Sequence, residues 1–280
     1  MILPIFTSNY SIGSSILSLQ QSKEEEFKSK KREESINGFP ANGFVTRFEY
    51  NEGSDSIVQI AKENNLKQVI LLESTFIGFK KALDSFQAAG IQLIFGIRFK
   101  ICNDRLAEDR EKTEHKICLF AKNDAGCKEL MKLYSLTQTK FGGFLDYSLL
   151  KERLTDNLLV VVPFYDSFIH RNALHGQQCL PDLSFCQPIM WLGNHGLPFD
   201  HILRRKTVDF AAKNGYETQE IHHIYYKNRA DIDAMTTYKI LTNRQGGKAQ
   251  TLDRPELAGF SSDEFCLESY LEKLDNPKTP

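Results

Sequence analysis

The sequence predicts an α/β fold in which seven β-strands alternate with helices. Seven short apolar runs, rich in β-branched residues, are spread along the 280 residues. Several runs are apolar throughout, which is typical of strands buried on both faces in a parallel sheet. Segments with helical spacing of apolar residues separate the runs, and this regular alternation indicates a parallel α/β fold. Seven strands fit either an open doubly wound sheet or a closed barrel, and apolar periodicity does not separate the two.

Each element is predicted from its local pattern. Asp55 is a candidate N-cap for the first helix, and Asn123 or Asp124 is a candidate N-cap for the helix in AGCKELMKLYSLTQ. Gly90 and Gly215 each follow a helical segment and are predicted to end it. The predicted strands are Leu3–Phe6, Val69–Glu73, Ile91–Ile97, Lys116–Ala121, Leu158–Phe164, Pro188–Gly193 and Thr218–Tyr226. Further helices are predicted at Tyr147–Leu154, Phe199–Asn214, Ala230–Asn243 and, near the C-terminus, at about 262–274.

Length and composition allow one large globular domain or two small ones, and because no interdomain linker is evident we predict a single domain over residues 1–280. A net charge of −1 argues against a protein that coats nucleic acid, and no apolar run is long enough to span a membrane. Six scattered cysteines without a CxxC pair indicate reduced thiols and a cytoplasmic protein, so Cys179 and Cys186 are expected to pack rather than to share a metal. The charged insertion at about 20–51 is expected to be a solvated loop or short charged helix, since acidic runs flank KSKKR.

Several segments carry a family resemblance. GIQLIFGIRFKI and TEHKICLFAKNDAGCKELMKLYSLTQT resemble the third strand and the following motif of the PHP (polymerase and histidinol phosphatase) domain in the bacterial DNA polymerase III alpha subunit. The opening FTSNYSIGSS and the segment VILLESTFIGFKKALDSFQAAG resemble its first two motifs, so the resemblance covers roughly residues 1–165. It implies a distorted seven-stranded (β/α)7 barrel and an association with DNA replication.

The resemblance also implies that most metal ligands of the family are replaced. PHP domains with an intact site hold divalent metals through histidines and carboxylates, and the metals activate water for phosphoester hydrolysis. Here the opening His-x-His aligns with Ile5–Thr7, and the glutamate of the third strand aligns with Arg98. The Asp-His pair of the second motif aligns with Leu72–Glu73, so that Glu73 is the one carboxylate that remains. His115 matches a family histidine, and the late Asp-x-His falls near His223.

A reduced site is one interpretation of the remaining residues. The candidate catalytic residues are His115, Glu73 and Arg98. The candidate ligands for one divalent ion, zinc or manganese, are Glu73, His115, His195 and His223. Asp166 and His222 also lie near predicted strand ends. Arg98 either forms a salt bridge with Glu73, which we favour, or binds phosphate. The basic stretch Arg204–Lys206 is predicted to be the solvated face of a helix rather than a nucleic-acid contact.

Three functions therefore stay open at this point. The favoured one is a catalytically degenerate, accessory or scaffold protein that binds a DNA polymerase subunit or another replication protein, without a cofactor or a membrane partner. The alternatives are a divergent metal-dependent phosphoesterase or 3′–5′ exonuclease, and a nucleic-acid or anion-binding module. The sequence lacks the palm carboxylates of the polymerase, so we expect no polymerisation by this chain.

Overall fold

The structure is a computed structural model, which describes residues 1–20, 55–177, 179–242 and 262–275. The predicted insertion at about 20–51 therefore lies, apart from Gln20, outside the described residues. No helix in the described ranges is long and apolar enough to cross a membrane. All six cysteines are described; each is a free thiol, and Cys179 is fully buried.

Seven strands form a closed barrel, as the resemblance implied. The strands are β1 (Leu3–Phe6), β2 (Gln68–Glu73), β3 (Gln92–Cys102), β4 (His115–Ala121), β5 (Phe144–Asp146), β6 (Leu158–Val162), β7 (Ile189–Leu192) and β8 (Thr218–Ile224). The order around the barrel is β1-β2-β3-β4-β6-β7-β8, and β8 pairs with β1 to close it. The short β5 was not predicted; it adds to the end of β3 outside the ring.

The expectation of an all-parallel barrel was wrong at β4. This strand runs antiparallel to both of its neighbours, β3 and β6. The chain returns from Cys102 to His115 through a short connection that contains one 3-10 turn, Arg110–Thr113, and no α-helix. A parallel pairing requires a longer crossover, usually through a helix, so this connection reverses the strand.

Eight α-helices surround the described part of the barrel, and one of them, α5, was not predicted from the sequence. Asn123 caps its helix as predicted, through a 2.8 Å bond from the Gly126 amide to its Oδ1. Ser56, rather than Asp55, caps the first helix by accepting a bond from the Gln59 amide. The helices are α1 (Ile57–Glu63), α2 (Phe79–Ala88), α3 (Asp124–Lys140), α4 (Tyr147–Arg153), α5 (Phe168–Leu174), α6 (Asp200–Asn214), α7 (Ile232–Thr242) and α8 (Leu267–Asp275).

The C-terminal helix begins later than the predicted residue 262. Before it, the backbone extends beside β8: the Tyr225 amide donates to the Phe265 carbonyl, and the Leu267 amide donates to the Tyr226 carbonyl. The segment before Leu267 is therefore extended and paired with the chain just after β8, and α8 starts at Leu267. This contact ties the end of the described chain to the barrel.

Alternation along β3 divides its side chains between two apolar layers. Phe95, Ile97 and Phe99 belong to the layer beneath the helices, while Gly96 and Arg98 have the opposite parity and face the barrel interior. A Cβ on Gly96 would lie 2.4 Å from the Phe120 ring, so the glycine makes room for an interior aromatic side chain. The same alternation therefore delivers Arg98 to the inside of the barrel, near its mouth.

We expect Gly96→Ala to destabilise the protein by about 1–3 kcal/mol, since the added methyl overpacks against Phe120. Urea unfolding of the single variants and of Gly96→Ala/Phe120→Leu forms a double-mutant cycle that checks this. The smaller leucine side chain should recover most of the loss. Equal losses in the single and double variants would show that the Phe120 ring does not set the requirement for glycine.

Candidate functional site

Glu73 ends β2 and ties the first two loops of the barrel mouth together. It is 2% exposed, and its carboxylate accepts a 2.9 Å bond from the Ser8 amide and a short bond from the Ser11 hydroxyl. Ser11 Oγ in turn accepts from the Ser74 amide at 2.8 Å. Burial raises the pKa of Glu73, although the bonds from Ser11 and Ser8 act in the opposite direction. Both carboxylate oxygens are thus engaged in holding the backbone.

Arg98 does not form the salt bridge with Glu73 that the sequence favoured. Its guanidinium lies beside the Tyr225 hydroxyl and the Cys118 thiol, and both side chains hydrogen-bond with it. Burial alone would lower the pKa of Arg98, but its neighbours Tyr225 and Cys118 outweigh burial, and the pKa lies above its ordinary value. Burial raises the pKa of Cys118 to about 11, so this thiol is neutral at physiological pH.

His115 lies away from Glu73. In the strand register, Glu73 pairs with Ile97, whereas His115 pairs with Ile101, four residues further along β3 and so roughly 13 Å away along the strand. Its Nδ1 is 2.8 Å from the Thr113 carbonyl and must therefore donate, which leaves Nε2 to accept from the Tyr147 hydroxyl at 2.5 Å. Burial lowers the pKa of His115 to about 4, consistent with a neutral imidazole held in place by two bonds.

His195 follows β7 and is part of a buried network. The His223 amide donates to His195 Nε2 at 2.9 Å, so Nδ1 carries the proton and donates to the Tyr165 hydroxyl at 3.0 Å. Tyr165 donates onward to Asp200 Oδ1 at 2.9 Å, and Asp200 Oδ2 accepts from the amides of His195 and Leu197. Burial keeps the pKa of His195 well below its ordinary value. Both ring nitrogens of His195 are thus used.

His222 and His223 point to opposite faces of β8, as expected for neighbours on a strand. His222 Nε2 contacts the Cys266 carbonyl at 3.2 Å beneath α8. His223 faces the barrel interior beside Trp191 and Tyr225, is 2% exposed, and its Nδ1 has no hydrogen-bond partner among the described residues. Burial first, and then Arg98, holds the pKa of His223 well below its ordinary value.

The donor arrangement does not fit a divalent metal ion. Metal ligation requires free lone pairs on several converging side chains. Lone pairs of Glu73, His115 and His195 accept bonds from protein donors, and His115 lies apart from Glu73 along the strands. The remaining imidazole, His223, is next to the Arg98 cation. Across the described ranges no three histidine, cysteine or acidic side chains converge as a metal site.

Sequence reasoning missed a group of cations that surround Asp166 at the mouth. Asp166 follows β6, and its carboxylate lies 3.2 Å from the Arg171 guanidinium of α5. Arg98, Lys116 and Lys239 also interact electrostatically with this carboxylate. Asp166 has a φ of 60°, a left-handed conformation that costs a non-glycine residue of order 1 kcal/mol and often marks a functional site. These cations come from four separate elements, so no local motif could reveal them.

The basic stretch on α6 matches its prediction as a solvated face. Arg204 forms a two-point ion pair with Glu220, at 2.8 Å through one nitrogen and at shorter range through the other. Arg205 and Lys206 are exposed and lie on the outer side of the helix. This ion pair joins α6 to β8 and does not include Arg98.

Comparison with known proteins agrees with this architecture. The family model of the PHP domain matches residues 51–182, which contain β2 to β6 and the helices between them. This range is therefore similar to a PHP domain, and the closed seven-stranded barrel agrees with a PHP-type fold. No curated protein matches the chain significantly in sequence.

Proposed function

We propose that this chain acts as a PHP-like domain without phosphoesterase activity, as an accessory or scaffold protein associated with DNA replication. One observation carries the proposal: Arg98 projects into the barrel where the resemblance would place a metal-binding glutamate. PHP domains belong to a phosphoesterase-like family, so the chemistry expected of the fold depends on residues at this position.

The charge of Arg98 opposes metal-assisted hydrolysis. A guanidinium is always protonated at physiological pH, and it repels a divalent cation that approaches the same pocket. The hydrogen bonds of Glu73 and His195 stabilise the loops at the mouth, so these two residues are accounted for without catalysis.

The link to replication is supported by the resemblance of roughly residues 1–165 to the PHP domain of the DNA polymerase III alpha subunit. A fold often persists as a binding surface after its chemistry is lost. The partner of this proposal is a DNA polymerase subunit or another replication protein.

Association with the polymerase tests the second half of the proposal. The purified chain is mixed with the DNA polymerase III alpha subunit of the same organism, and complex formation is followed by size-exclusion chromatography and calorimetry. We expect a stoichiometric complex that forms in the wild type and in Arg205→Gln alike. If neither method detects a complex with the alpha subunit or with other replisome proteins, the proposed association is wrong.

A further inference from the structure

The seam between β6 and β7 is open at the end of the barrel opposite to the mouth. β7 begins at Ile189 and pairs with only the last two residues of β6. The first three residues of β6, Leu158–Val160, pair with β4 on one side, and no strand of the described residues lies beside them on the other. Because β6 leads to Asp166 at the mouth, this open edge lies at the far end of the barrel.

Backbone groups at the open edge face the seam. The Lys122 amide donates to the Asn157 carbonyl at 2.9 Å, so the backbone of Asn157 faces β4. This direction alternates along an antiparallel pair, so Leu159 also faces β4, whereas the amide and carbonyl groups of Leu158 and Val160 face the seam. In the part of the chain that the structure describes, no loop carbonyl accepts a bond from the Val160 amide, although Val160 is only 3% exposed. A buried backbone donor without a partner in its own chain needs one from water or from another chain.

A cavity of about 330 Å³ lies along the open edge. Leu154 at the end of α4 and Phe185 in the loop before β7 supply apolar walls beside Leu158–Val160. This volume is at the lower end of the range that ligand pockets occupy in proteins. An extended peptide can add a strand to such an edge, since its backbone bonds supply affinity and the pockets for its side chains supply specificity. The cavity therefore suits a short extended segment of another protein.

Charged residues at the rim of the cavity set a preference for the sequence of that segment. Lys122 and Lys151 line the cavity together with one carboxylate, Asp156. Lys151 interacts electrostatically with the exposed Asp182, whereas Lys122 forms no ion pair among the described residues. Lys122 can therefore pair with an acidic side chain of the bound segment. Because exposed ion pairs contribute little, we expect the backbone and apolar contacts to supply most of the affinity.

We propose that the open edge of β6 binds an extended, acidic and β-branched segment of a partner protein as an added strand. The backbone of the segment bonds to Leu158 and Val160. Its apolar side chains pack against Leu154 and Phe185, and an acidic side chain lies toward Lys122. The site is at the opposite end of the barrel from the mouth, so this inference goes beyond the proposed function and does not depend on it.

Binding of a synthetic peptide to the full chain tests strand addition. The probe is the capped peptide Glu-Val-Ile-Val-Glu, and calorimetry compares it with two versions that carry N-methyl groups at alternate amides. Only one set of alternate amides in an added strand faces β6. Methylation of that set should weaken binding by at least about tenfold, and methylation of the other set should not. Equal affinities of the two methylated versions, or no saturable binding of the probe, would overturn the proposal.

Hydrogen exchange in the unmodified chain gives a readout that needs no variant. Saturation with the probe should slow exchange of the Val160 amide, because the peptide supplies its missing acceptor. The Leu159 amide faces β4, so its exchange should not change. If the probe binds without slowing exchange at Val160, the open edge is not its binding site and the proposal is wrong.

Charge reversal tests the orientation of the acidic side chain. Lys122→Glu should weaken binding of the probe by about threefold or more and strengthen binding of the peptide Lys-Val-Ile-Val-Lys. Lys206→Glu, an exposed charge reversal on α6, is the matched control and should change neither affinity. Equal effects of the two substitutions would contradict the pairing with Lys122. Failure of the peptide site would leave the non-catalytic assignment intact, and phosphoester turnover would leave the peptide site intact, so the two proposals fail separately.

Discussion

Replacing Asp200 with alanine is expected to destabilise the protein by about 3 kcal/mol or more. Asp200 is 6% exposed and accepts bonds from the His195 amide, the Leu197 amide and the Tyr165 hydroxyl. Alanine would leave three buried donors unpaired, and each unpaired donor costs about 1–3 kcal/mol before relaxation. Urea unfolding monitored by far-ultraviolet circular dichroism gives the free energy of unfolding directly.

Two further variants locate the effect in the network. Asp209 lies on the same helix as Asp200 but is exposed. Asp209→Ala should therefore change the free energy of unfolding by no more than about 0.5 kcal/mol. Tyr165→Phe removes one donor to Asp200 and should cost less than Asp200→Ala. A loss in Asp200→Ala no larger than in Asp209→Ala would contradict a structural role for the His195–Tyr165–Asp200 network.

Acidification is expected to destabilise the protein strongly between about pH 6.5 and pH 4. Burial lowers the pKa of His115 and of His170 to about 4, and that of His222 to about 3. The unfolded chain binds protons near pH 6.5, so it holds more protons than the native state throughout this interval, and stability falls as pH falls. The shift of His115 corresponds to about 3 kcal/mol.

Unfolding titrations at a series of pH values measure this dependence. His115→Gln should be less stable than the wild type at neutral pH, because it loses the hydrogen bonds of the imidazole to Thr113 and Tyr147. On acidification, its free energy of unfolding should fall by about 3 kcal/mol less than that of the wild type. His201→Gln, on the exposed side of α6, is the matched control. An unchanged slope in His115→Gln would show that the native state does not keep this imidazole neutral.

The strands were predictable because their signal is local. Runs such as LLVVVPF have no polar residue, and β6 lies within the predicted range Leu158–Phe164. The direction of β4 was not predictable, because it depends on how the chain returns from β3 rather than on the composition of either strand. The start of α8 was misplaced for a similar reason: the backbone amide of Leu267 bonds to the Tyr226 carbonyl just after β8, a contact between residues distant in sequence.

The candidate site was predictable only in part. Arg98 was identified as a candidate because it stands where the third-strand motif of the family has a glutamate. Its neighbour Tyr225 and the cations Lys116 and Lys239 belong to separate segments and carry no motif, so their convergence emerges only from the closed barrel. The roles of the histidines depend equally on tertiary contacts, since hydrogen-bond partners decide whether an imidazole can ligate a metal.

The proposed lack of phosphoesterase activity is tested most directly by measuring metal content and phosphoester hydrolysis on one untagged preparation of the chain. Elemental analysis is followed by assays on a generic phosphodiester and on single-stranded DNA with added manganese, with Glu73→Gln and His115→Gln as comparison variants. We predict no stoichiometric metal and no turnover above the buffer rate, in the wild type and in both variants. Tightly bound metal together with turnover that is lost in either variant would contradict this prediction and identify a divergent metal-dependent phosphoesterase.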